Sequence, residues 1–153
     1  MNVQQKNKEK GFTIIEVVLV LAIAGLIFLM VFIALPALQR SQRDTQRRSD
    51  LARVITQVNS YQSNNRNKSP QNQADWDNLM SGYMRAGGDP FEDPNGTAYV
   101  FKAGPVGNTA ADGTIYYTQK AICNGEDITP NQGANKVAVQ YRLEGGGVAC
   151  DSN

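Results

Sequence analysis

Residues 12–35 form an apolar run interrupted by a single charge, Glu16. As a helix rising about 1.5 Å per residue, the run is roughly 36 Å long, enough to cross a bilayer. Small residues Ala22, Ala24 and Gly25 make a patch where helices can approach closely. Pro36 lacks a backbone donor and crowds the preceding turn, so a kink or break is expected around 33–36. The pattern then changes. Residues 39–50 are strongly polar, with Arg40, Arg43, Arg47 and Arg48 against Asp44 and Asp50. Leu51, Val54, Ile55, Val58 and Tyr61 follow at i, i+3, i+4, i+7 and i+10, which is one apolar stripe on a helix. The pattern therefore predicts a long N-terminal helix, with an exposed polar neck leading to a stripe that docks on a head.

Residues 63–70 are rich in Asn and Ser and predict a loop, and 76–84 predict a short helix with Trp76 as a core anchor. Prolines and glycines between Gly87 and Gly96 force turns. Three strands are then expected, at 97–102, 114–122 and 136–143. In the last, Val137, Val139 and Tyr141 alternate with Ala138, Gln140 and Arg142, as in a half-buried strand. Residues 104–113 and 124–135 read as connecting loops. A small antiparallel sheet packed on the helix stripe is the economical α+β architecture.

The chain has 153 residues and a formal net charge of +1, enough for one modest domain beyond the helix. How the charge is distributed matters more than its sum. Lys6, Lys8 and Lys10 precede the apolar run and place the N-terminus on the cytoplasmic side. The run is too long for a secretory h-region of roughly 7–15 residues, and no small-residue cleavage site follows it. It is read as a retained single-pass helix in the cytoplasmic membrane. An acid within such a helix costs on the order of 2.5–3.5 kcal/mol and calls for a partner.

The order of these parts, with a basic leader, Gly11, Phe12, Glu16 and an apolar run, resembles the class III signal of type IV pilins and their relatives. The resemblance implies a prepilin peptidase that removes residues 1–11, cutting between Gly11 and Phe12 and N-methylating Phe12. Glu16 then matches the family's assembly glutamate, and Gly25 falls where the family commonly has a helix-weakening glycine. Residues i and i+4 share a helix face, so the freed amine of Phe12 and the Glu16 carboxylate point the same way. In subunits offset along an axis, the amine of one can meet the acid of the next and set the register. The family pattern divides the chain into a leader at 1–11, a filament-core helix at 12–36, an amphipathic helix at 37–64 and a head at 65–153. It implies a homo-oligomeric helical filament, membrane-held before assembly and extracellular afterwards, with an assembly ATPase and a platform membrane protein as partners. An ordinary anchor with one tolerated acid is the plainer alternative.

Cys123 and Cys150 lie on the side expected to be outside, where disulfides persist. A bridge between them would contribute roughly 3–4 kcal/mol by loop entropy, and two buried free thiols are the alternative. Such a bridge resembles the disulfide-bounded C-terminal region of many type IV pilins, which many major pseudopilins lack. The segment from Asp89 to Tyr99 instead looks like the Asp-Pro-aromatic…Gly…Tyr stretch of type II secretion pseudopilins, and a short periplasmic pseudopilus is the alternative function. Asp89, Glu92, Asp93 and Asn95 offer oxygen ligands for calcium, but not at the spacing of an EF-hand, and a plain acidic turn is the preferred reading. The arginines of 40–48 read first as a solvated helix face, then as a contact for headgroups or neighbouring subunits. DNA ranks last among partners, because no aromatic residue is interleaved for stacking. Histidine is absent and no phosphate-cradling glycine loop occurs, so neither an enzymatic centre nor a cofactor is expected.

Overall fold

A computed structural model describes residues 11–153. The leader expected at 1–11 therefore lies, apart from Gly11, outside the described residues. The longest element is α1 (Ile14–Asn64), which contributes to two compact units divided between Leu38 and Gln39. Gly25 and Pro36 both lie inside this helix, and neither ends it here. Proline forfeits one backbone bond, and the turns on either side remain helical.

In the first unit, residues 14–38 are helical and exposed along their length, with Phe28, Leu29 and Phe32 all more than half accessible. Among the described residues this is the one helix long and apolar enough to cross a membrane, and none of its apolar window is buried within the chain. An apolar surface of this kind is stable only against lipid or other apolar helices.

The second unit, Gln39–Asn153, has its own core. Leu51, Val54, Ile55 and Val58 are buried and Tyr61 partly so, as the stripe predicts. After a loop, Asn72 caps α2 (Gln73–Leu79), its side chain accepting from the Asp75 N–H. A π-helical turn (Met80–Met84) follows. Together α2 and this turn are the expected short helix. Trp76 is wholly buried, stacked on Tyr117 at 4.4 Å and tilted against Phe101 at 4.6 Å. Full burial of one large apolar side chain stabilises by about 1.5–3 kcal/mol, which makes this trio a main anchor of the head.

The strands are β1 (Val100–Ala103), β2 (Thr114–Gln119), β3 (Ala121–Asn124), β4 (Asp127–Pro130), β5 (Val137–Arg142) and β6 (Val148–Ser152). They make a four-stranded sheet ordered β1-β2-β5-β6 and a separate β3-β4 hairpin. The sheet is mixed rather than antiparallel, because β1 and β2 pair in parallel, Phe101 beside Ile115. The intervening residues 104–113 are shorter than the usual parallel crossover of a dozen or more, so length alone points wrongly to a hairpin. The strand expected at 114–122 divides at Lys120, whose φ of 54° turns the chain from β2 into β3. Residues 124–135 are more than a loop, since they contain β4. Nor is β5 half-buried. Val137 to Tyr141 are all buried, because the hairpin covers the second face and Gln140 Nε2 donates to the Glu126 carbonyl at 2.7 Å.

Candidate functional site

The assembly region expected from the sequence lies at the start of α1. Thr13 precedes the first helical residue and bonds reciprocally with Glu16. The Thr13 N–H and hydroxyl both donate to Glu16 Oε2 at 2.8 Å, and the Glu16 N–H reaches Thr13 Oγ1 at 3.4 Å. This is a Thr-x-x-Glu capping box, a pattern legible in the sequence. It gives the carboxylate two donors within its own chain, reducing the cost of carrying charge among apolar residues. Gly11 and Phe12 stay outside the helix, exposed. Phe12 and Glu16 line one shallow cavity of about 310 Å³ with Val17, Val20 and Leu21. The two residues are thus brought to one face.

The second unit holds a different concentration of charge. Arg47 is buried and forks onto Asp93, with Nε to Oδ2 at 2.7 Å and Nη2 to Oδ1 at 2.8 Å. The same guanidinium reaches Asp44 Oδ1 at 3.0 Å and Glu144 Oε1 at 2.7 Å. Arg43 grips Glu144 from the other side at 2.9 and 2.5 Å. Asp44 also accepts the Glu144 and Gly145 N–H groups, at 2.9 and 2.8 Å, and so pins the β5–β6 turn to α1. The Tyr141 hydroxyl donates to Asp93 at 2.7 Å and accepts from the Gly113 N–H at 2.9 Å. Burial alone would push the Asp93 carboxyl up, but Arg47, Tyr141 and the Asn95 N–H outweigh it and hold it below its ordinary value. The Arg43 guanidinium, with Arg47 behind it, holds the Glu144 carboxyl down at about 2. Asp50 moves the other way. Burial raises it against the hydrogen bond from the Tyr99 hydroxyl at 3.0 Å.

This network corrects the reading of 39–50 as an exposed neck. Arg40 and Arg48 are exposed, but Asp44 and Arg47 are buried. Carboxylates distant in sequence satisfy the arginine, and no local periodicity could show that.

Residues 6–32 match the family described as the prokaryotic N-terminal methylation motif. The chain carries the class III signal of the type IV pilin and pseudopilin family. The match covers the basic leader, Gly11, Phe12, Glu16 and most of the apolar run. Comparison with curated proteins and with solved structures finds no match. The pilin signal implies processing by a prepilin peptidase followed by assembly, while the head stands on its own geometry.

Within that head, Cys123 on β3 and Cys150 on β6 form a disulfide with Cα atoms 5.8 Å apart, so neither is a free thiol. The bridge ties the hairpin to the sheet, and β6, expected only as a tail, is the strand it holds. Among the described residues no group of three or more His, Cys, Asp or Glu side chains is placed to hold a metal ion. Asp93 is taken by Arg47 and Tyr141, and Asp89 pairs with Arg53 and caps the Phe91 N–H. Asn95 accepts from the Thr97 N–H, and Glu92 is exposed.

Proposed function

We propose that this chain is a prepilin, cut between Gly11 and Phe12, N-methylated at Phe12 and polymerised through its N-terminal helix as a main subunit of a type IV pilus. The observation that carries the reading is the placement of Phe12 and Glu16 on one face at the mouth of a fully exposed apolar helix, within the methylation motif. Cleavage frees a cation at Phe12. In the monomer Glu16 is already capped by Thr13, and a neighbour's amine adds the charge that the cap lacks. Pairing between subunits then sets their axial offset, and a misplaced subunit leaves an unpaired charge in an apolar core. Burying the exposed stretches of 12–35 against one another replaces contact with lipid. Before assembly the helix holds the chain in the cytoplasmic membrane with its N-terminus inside.

A pseudopilus in protein secretion is the second reading. It is favoured by the Asp89–Tyr99 segment, which here closes on the buried Asp93. The disulfide favours the pilus. Expressing Glu16→Ala in the native host tests the proposal. Cleavage should continue while fibres recovered by shearing disappear. Normal fibres from this variant would sink the register argument, and fibres confined to short periplasmic stubs in the wild type would favour the pseudopilus.

A further inference from the structure

We infer that the head carries a binding site for an acidic saccharide at the C-terminal end of α1. A cavity of about 380 Å³ opens there between Tyr61, Asn64 and Asn65 of the helix, Arg66 and Lys68 of the following turn, and Asp75 of α2. That volume is within the range of small-molecule sites, ~300–1,000 Å³.

The free bonding capacity at this cavity specifies the ligand. Among the described residues, Arg66 and Lys68 make no ion pair, although other arginines of the head are paired. Asn64 spends its amide N–H on the Tyr83 hydroxyl at 3.1 Å, and Asn65 spends its own on the Tyr61 carbonyl at 2.8 Å. Both therefore keep a carbonyl oxygen that can accept from a ligand hydroxyl. Asp75 uses Oδ2 on the Gln71 N–H at 2.7 Å and keeps further acceptor capacity. Cations thus stand on the 66–68 turn, and acceptors stand on the helices. A molecule with a carboxylate at one end and hydroxyls at the other satisfies both. A polyphosphate strand would bring repeated negative charge against Asp75.

The wall is built before any ligand arrives. Arg66 and Asn67 both have left-handed backbone, with φ of 55° and 62°, a conformation costly for residues other than glycine. It is held by buried Gln62 and Ser69. Gln62 Nε2 donates to Ser69 Oγ at 2.9 Å and to the Asn135 carbonyl at 2.6 Å, and the Gln62 carbonyl accepts from Asn67 N–H at 2.8 Å. Gln119 pins the far end through the carbonyls of Pro70 and Gln71. A preorganised turn loses little freedom on binding. The site lies wholly within the second unit and does not depend on the fibre reading.

The test is calorimetric titration of the full chain in detergent micelles with 3′-sialyllactose, a trisaccharide with a single carboxylate at one end, the neutral trisaccharide maltotriose and a single-stranded deoxythymidine oligomer. 3′-Sialyllactose should bind in preference to the other two. Arg66→Gln combined with Lys68→Gln should weaken it at least about tenfold, since both charge-assisted bonds to the carboxylate are lost. Asn64→Asp should weaken it through repulsion, while Arg48→Gln should leave it unchanged. No binding of 3′-sialyllactose up to about 10 mM, equal binding of maltotriose, tighter binding of the oligonucleotide, or indifference to Arg66→Gln/Lys68→Gln would each overturn the assignment.

Discussion

Arg47 on α1 holds Asp93 through two parallel hydrogen bonds of 2.7 and 2.8 Å, joining residues 46 positions apart in a buried site. Around this pair the helix, the acidic turn and the β5–β6 turn are fixed to one another. Buried ion pairs are weak evidence for net stability, but breaking one leaves an uncompensated charge.

Arg47→Met should therefore destabilise the head by about 3–5 kcal/mol, because Asp93, Asp44 and Glu144 all lose a partner. Urea unfolding followed by fluorescence of Trp76, the chain's single tryptophan, measures this in detergent. A loss below about 1 kcal/mol would place the network on the surface in energetic terms.

Acid should weaken the same network. Glu144 is depressed from 4.5 to about 2 by Arg43 and Arg47, so its contribution is complete above its unfolded value and is lost as pH falls towards 2. Asp93, also depressed, acts in the same direction. Stability measured from pH 6 down to pH 2 should fall, chiefly below about 4.5, and Glu144→Gln should flatten the fall.

Gly113 sits at φ +72°, where an added Cβ would come within 2.7 Å of Thr97 Cγ2 and 3.0 Å of the Ala98 carbonyl. Its N–H and carbonyl bond to Tyr141 and Val100. Gly113→Ala should cost about 1–3 kcal/mol through strain, and thermal unfolding should show a lowered midpoint.

Replacing Cys123 and Cys150 together with serine should remove roughly 3–4 kcal/mol by releasing the closed loop. Unfolding with and without reductant should give the same loss in the wild type and no reductant effect in the double variant.

The parts legible in the sequence are those written in local spacing. The apolar run, the stripe from Leu51 to Tyr61 and the helix around Trp76 depend on residues three or four apart. The parts that were not legible depend on distant partners. Arg47 looks solvated until Asp93 and Glu144 are brought to it. The β1–β2 pair runs parallel although its short connection suits a hairpin, and β6 is a strand because β5 and the disulfide present an edge for it. At the start of α1, the placement of Phe12 and Glu16 against one cavity follows from their spacing. The capping role of Thr13 is written in the same segment, as a threonine three residues before a glutamate.

The central claim concerns the fate of the bond between Gly11 and Phe12. Mass spectrometry of the protein in fibres sheared from its native host tests it most directly. The account predicts a chain beginning at N-methylated Phe12 with Cys123 bonded to Cys150. A chain found only in membranes and still carrying residues 1–11 would contradict it.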